Sequence, residues 1–214
     1  MSEDPSSDAG ALGPYPAAWT NDVLVGTGES FHMRPIHRDD DERLVAFHQR
    51  LSSHSIFRRY FSLHPELSPA EIVHLTQVDY VNRLALVVED AHQLVGIGRF
   101  DRLPATTTAE VAFVVADQFQ HRGIGLSLLE HLGDAAWSLG ISTFVAETQA
   151  ANRYMMSVFD DTGFDVHTTI EDEVISVRFP IAPTAASRAR RRARLERAGA
   201  LAPKGPRGPR GPSC

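Results

Sequence analysis

Cysteine is almost absent: Cys214, the final residue, is the only one among 214. That excludes an internal disulfide framework, and a lone terminal thiol is read as incidental rather than nucleophilic. Lysine is as scarce, with Lys204 alone against twenty arginines. No apolar run approaches the roughly 20 residues that a membrane helix needs. The acidic start "MSEDPSSDAGALGPYPAAW" has no basic region leading into an apolar segment. Neither a membrane span nor a secretory signal is expected, and a cytoplasmic location is the default. Ten histidines occur, yet none form an H-x-x-x-H or H-E-x-x-H pair, so no metal is expected. A G-x-S-x-G hydrolase elbow is missing as well.

Charge is present but unevenly placed. Residues 1–180 carry 12 arginines against 26 acidic residues, a net of −14, whereas 181–214 carry nine basic residues against one glutamate, a net of +8. The acidic body discourages polyanion binding and suits a cationic partner. The basic tail leaves nucleic-acid contact open, although it lacks aromatic residues on which bases would stack. Composition divides the chain into a flexible leader (1–28), one globular domain (29–180) and an Arg/Pro/Gly-rich tail (181–214). That tail has too little apolar surface to order itself, although "AASRARRRARLERAGAL" could form a short basic helix.

Within the domain, Asp39, Asp40 and Asp41 stand where acids favour a helix start. Ser68, Pro69 and Glu71 spell a capped helix start. The segments "RLALVVE", "HQLVGIGRF" and "AEVAFVVA" read as an antiparallel meander, its first turn at Asp90 and Ala91. A helix follows Gly123, with Leu128, Leu129, Leu132 and Ala136 on one face and Gly140 as its stop. Next come a strand, a helix stopping at Gly163, and a closing hairpin. Strands followed by a strand–helix–strand–helix run indicate a mixed α/β domain.

The informative stretch is "EVAFVVADQFQHRGIGLSLLEHLGDAA", beginning at Glu110. A Walker A loop would need lysine and a hydroxyl residue after Gly125, but Leu126 and Ser127 stand there. A dinucleotide fingerprint would need a third glycine where Leu128 stands, although Glu147 lies near the spacing of a ribose-binding acid. Gly123 and Gly125 suit close backbone approach to phosphate oxygens at a helix start, and equally suit a tight strand–helix turn.

Gln120–His121–Arg122–Gly123–Ile124–Gly125 resembles the Q/R-x-x-G-x-G/A pyrophosphate signature of the GNAT superfamily, the acyl-CoA N-acyltransferases. The resemblance runs from about Phe31 to Phe179 and includes Asn152 and the closing Gly163–Phe164. The opening "MRPI...DD...F...LS..S.FRRYF" and the "AEVAFVVAD" strand are similar to bacterial, including actinobacterial, protein lysine acetyltransferases.

This resemblance implies an α/β GNAT fold, a mixed central sheet with splayed parallel strands and flanking helices. It implies acetyl-CoA or another short acyl-CoA as cosubstrate, and acyl transfer to an amine, foremost the ε-amine of a lysine on a protein such as an acyl-CoA synthetase. A small-molecule amine acceptor and a noncatalytic acyl-CoA-binding module are the alternatives. Strands Val111–Ala116 and Ser142–Glu147 would splay, with Val114, Val115 and Ala116 presenting backbone to the pantetheine arm. The turn from Gln120 to Leu126 would receive the pyrophosphate. Asn152 would face the pantetheine or cap its own helix. Glu110 would take the proton that an ammonium must lose before it attacks, best with partial burial raising its pKa. One departure concerns the leaving thiolate: the family's tyrosine position is Phe159, which has no proton to give, and a helix would turn Tyr154 to a different face. Relatives with cyclic-nucleotide or amino-acid-binding modules have more chain than is expected to be available here. Arg58 and Arg59 are candidates for the border of the acceptor entrance, and equally for pairing with the abundant carboxylates.

Overall fold

The computed structural model describes residues 13–201. Eight strands form one sheet in the order β1-β2-β3-β4-β5-β6-β8-β7. Their bounds are β1 Asn21–Leu24, β2 Ser30–Pro35, β3 Arg83–Asp90, β4 Gln93–Arg102, β5 Thr108–Val115, β6 Thr143–Gln149, β7 His167–Glu171 and β8 Val174–Pro180. Every neighbouring pair is antiparallel except β5 and β6. This is the α/β GNAT architecture, with the meander and the closing hairpin both as read from the sequence.

Helices cover both faces. On one lie α1 (Asp41–Gln49), α2 (Ser53–Tyr60) and α3 (Pro69–Thr76); on the other lie α4 (Ile124–Ser138) and α5 (Arg153–Thr162). Strand alternation divides the apolar residues between two cores. Ala109, Val111 and Phe113 of β5 join Leu128, Leu129 and Leu132 of α4. Val114 and Ala116 face the α1–α3 side with Leu44, Phe47 and Ile56. The capped start at Ser68 forms as expected: its Oγ accepts from the Glu71 amide, and Glu71 Oε2 accepts from the Ser68 amide at 2.8 Å.

Four local readings need correction. The first turn of the meander is Ala91–His92, both at positive φ, rather than Asp90–Ala91. Asp40 is not merely a helix-start acid. It is buried, receives Arg34 at 2.7 and 2.8 Å and Arg43 at 3.0 Å, and accepts from the His37 amide at 2.7 Å.

The described part of the leader is ordered, because β1 pairs with β2 and sinks Val23 and Val25 into the core. Residues 1–12 lie outside the described residues.

The described part of the tail is ordered too: Ala185–Leu201 form α6. Its order rests on charge complementarity added to the small apolar surface that Ala198 buries. Arg191 meets Asp134 at 2.6 Å, Arg194 meets the buried Glu130, and Arg190 donates to the Asp160 carbonyl. Residues 202–214 lie outside the described residues.

Candidate functional site

The parallel pair β5–β6 holds only three rungs, Thr108–Thr143, Ala109–Phe144 and Glu110–Val145. Beyond Glu110, β5 continues to Val115 and β6 to Gln149 without a common ladder. Diverging strands expose backbone groups that a sheet would otherwise pair. The opening is a cleft of about 300 Å³, walled by both strands, α2, the starts of α4 and α5, and the β5–α4 turn.

The alternation of an antiparallel ladder decides which backbone groups face this gap. The Ala116 amide donates to the Val95 carbonyl at 2.9 Å, so Ala116 and, two residues back, Val114 turn their backbone groups toward β4. Phe113 and Val115 turn theirs into the gap. Of the strand residues singled out in the sequence, Val114 and Val115 line the cleft, whereas Ala116 is buried outside it. The Val115 carbonyl is already taken by Gln120 Nε2 at 3.0 Å.

That bond belongs to a chain fastening α2 over the cleft. Gln120 Nε2 also donates to Ser55 Oγ at 2.9 Å, and Ser55 Oγ donates to Asp117 at 2.9 Å. Asp117 further accepts from the Ser52 hydroxyl and amide at 2.6 and 2.9 Å. Burial pushes its carboxyl pKa up, but the bonds from Ser52 and Ser55 outweigh that and hold it below the ordinary range.

At the glycine turn, Gly123 is the N-cap of α4 with φ of +96°, and a Cβ there would stand 3.1 Å from the Gly26 nitrogen. A Cβ on Gly125 would stand 3.2 Å from the Phe113 ring. The first amides of α4 have no partner within the helix and lie at its positive end, where anionic oxygens are favoured. Gln120, His121, Ile124 and Gly125 line the cleft; Leu126 is buried in the core instead. Arg122 also stands outside the lining. Its guanidinium pairs with Glu29 at 2.7 Å, donates to the Gln118 carbonyl at 2.9 Å and stacks 4.9 Å from the Phe119 ring.

Asn152 is buried, lines the cleft, and caps α5 by accepting from the Met155 amide at 3.2 Å. Tyr154 and Phe159 both line the same cleft, contrary to the helical-face argument, and Tyr154 packs edge-on to His121 at 4.3 Å. Burial raises the Tyr154 pKa. Glu110 lines the cleft as an exposed side chain, not a partly buried one. It also borders a second cavity of about 460 Å³ over β6, β8 and β7, which it shares with Glu147 and Arg178.

Sequence reading missed Phe113, the α2 residues Ser55 and Tyr60, and Phe61 just after that helix. It also missed Thr148, whose buried hydroxyl has no hydrogen-bond partner among the described residues. Arg58 and Arg59, singled out in the sequence, both line the cleft. Among the described residues, no three histidine, cysteine, aspartate or glutamate side chains converge as a metal site requires. No described helix is long and apolar enough to cross a membrane.

The acetyltransferase (GNAT) family matches residues 49–164. Acetyltransferase Pat of Mycolicibacterium smegmatis is 33% identical over 144 residues, covering 66% of this chain and 43% of that protein. Acetyltransferase PA5475 of Pseudomonas aeruginosa is 33% identical over 141 residues, covering 64% of this chain and 76% of that one. The crystal structure of the GNAT domain of S. lividans PAT is 37% identical with a TM-score of 0.74, covering 78% of this chain and 99% of that domain. This chain therefore spans less than half the length of the first relative and nearly all of the isolated domain.

Proposed function

Because the chain belongs to the acetyltransferase (GNAT) family, we propose that it transfers an acetyl or other short acyl group from acyl-CoA to an amine, specifically the ε-amine of a protein lysine. The observation that carries this reading is the splay after Glu110 and Val145, which leads from a carboxylate at one end to a helix start at the other.

The residues of the cleft fit a long, amide-bearing donor with phosphates at one end. Thr148 Oγ1 is an orphaned buried donor on the cleft wall, and an unpartnered buried hydroxyl costs about 1–3 kcal/mol. Phe113 and Val115 offer amides to the gap, and the Gly123–Gly125 turn leaves room for backbone approach to phosphate oxygens. Arg122 contributes only once it leaves Glu29 or shares its charge.

In the chemistry we infer, Glu110 takes the proton of the incoming ammonium, directly or through one water, and frees the nitrogen lone pair. The nitrogen attacks the thioester carbonyl, and the Phe113 and Val115 amides face the gap in which negative charge grows on the carbonyl oxygen. Collapse breaks the carbon–sulfur bond, the nitrogen sheds its second proton to water, and coenzyme A leaves as thiolate. Phe159 walls that end and supplies no proton.

A macromolecular acceptor is favoured by the rim. Phe61 lines the cleft, and Phe57, Phe61 and Leu63 are 44%, 37% and 83% exposed, close together in the chain on and after α2. The test is intact-protein mass spectrometry of a candidate acyl-CoA synthetase incubated with acetyl-CoA and this protein. An enzyme-dependent gain of one acetyl group, mapped to lysine, supports the proposal. No gain over the enzyme-free control contradicts it for that acceptor and directs the search to small amines.

A further inference from the structure

Among the described residues, Arg59 is a cation without a counter-ion. It projects from α2, lines the main cleft, and borders a small cavity beneath α2 and α3. Its guanidinium carbon stacks 5.0 Å from the Tyr60 ring. Among the described residues it makes no hydrogen bond or ion pair, although Arg99, Glu110 and Asp101 lie within electrostatic reach.

The nearby carboxylates leave it unsatisfied. Asp101 already meets both Arg83 and Arg99 at 3.2 Å. Arg99 itself keeps a buried Nε without a partner. Burial, then the like charge of Arg99, pull the Arg59 pKa below the ordinary arginine value against the attraction of Glu110 and Asp101. A partly desolvated guanidinium beside another one, with no anion of its own, costs free energy that an incoming anion would recover.

The position identifies which reactant brings that anion. Asp101 and Glu110 face each other at the start of β5. The start of α4 packs on the opposite face of β5, where Gly125 meets the Phe113 ring, whereas Arg59 comes from the α2 side. Phosphates received at the start of α4 therefore lie across the sheet from Arg59, whereas an amine brought to Glu110 comes within its electrostatic reach.

We propose that Arg59 selects acceptors that carry a carboxylate next to the reacting amine, in a protein an aspartate or glutamate flanking the target lysine. This inference rests on the acyl-transfer reading above. The acceptor's ammonium meets Glu110 and its carboxylate meets Arg59, so each charge of the acceptor lands on its opposite. The planar guanidinium can hold a carboxylate through two parallel bonds, which a lysine at this position cannot reproduce.

The test uses two lysine peptides that differ only in Asp or Asn before the lysine, assayed with the 214-residue chain and acetyl-CoA. The wild type is expected to favour the Asp peptide about tenfold in kcat/KM, mostly through KM, since a charged hydrogen bond is worth at least that factor. Arg59→Gln is expected to bring the ratio near one with unchanged acetyl-CoA affinity, and Arg59→Lys to keep part of the preference. Equal use of both peptides by the wild type overturns the inference, as does an Arg59→Gln variant that is slowed equally on both. Wild-type protein that acetylates neither peptide overturns the lysine-transfer reading itself, a different result from either of these.

Discussion

Glu110 faces Val145 across the last rung of the only parallel ladder in the described sheet. One residue thus ends the strand pairing and opens the cleft, its carboxylate standing at the junction of the two cavities. Glu110→Gln keeps the shape and removes the proposed base. The expected outcome is a fall of about 10²–10⁴ in kcat with acetyl-CoA affinity retained. Steady-state kinetics and calorimetry of one preparation check it, and normal turnover in the variant contradicts the assignment.

The two glycines of the turn are expected to fail differently. Gly123 has left-handed backbone against Gly26, so Gly123→Ala should lose about 1–2 kcal/mol of stability in urea titration. Gly125 lies inside α4, where alanine is an acceptable helix residue, but its Cβ would press on Phe113 at 3.2 Å. Gly125→Ala should therefore leave stability nearly unchanged and weaken acetyl-CoA binding. A variant pair with the opposite pattern would remove the reason for placing the donor against Phe113.

Glu130 is buried beneath α6 and is shared by Arg194 and, at 3.7 Å, Arg191. Glu130→Gln leaves both guanidiniums without that charge. Because the arginines are partly solvated, a loss of about 1–3 kcal/mol is expected rather than the full penalty of a buried pair. Arg192→Ala, on the exposed side of the same helix, should change stability by less than about 0.5 kcal/mol. Denaturant titration separates the two.

His131 supplies a pH dependence beneath the same helix. Its pKa lies below the ordinary 6.5, because burial, and then the Arg191 charge, outweigh the bond to the Ser127 carbonyl and the attraction of Asp134 and Glu130. The unfolded chain therefore takes up a proton at higher pH than the folded one. The stabilisation is complete above pH 6.5 and is lost as the pH falls from there through the folded pKa. Unfolding free energy should drop from pH 7 toward pH 5, and His131→Gln should flatten that slope; parallel slopes would contradict it.

What could be read from the sequence was local. The Ser68–Glu71 cap, the Gly140 and Gly163 stops and the glycine turn are each written within a few residues, and the structure forms each helix boundary there. The elements that were misread owe their order to distant partners. β1 needs β2, and α6 needs carboxylates of α4 that lie 57 and 64 residues away along the chain. The roof of the cleft was hidden for the same reason, since Ser55 reaches Gln120 across 65 residues. Ala91 and His92 adopt a turn that asparagine or glycine would normally signal, so composition gave no hint of it.

The most direct measurement follows the backbone amide NMR signals as acetyl-CoA is titrated into the protein. Saturable shifts are expected at Phe113, Val115, Ile124 and Gly125, the amides that face the splay and the start of α4. Shifts confined to the β6–β8–β7 face, or no shifts at all, would contradict the claim that the gap beyond Glu110 and Val145 receives the acyl donor.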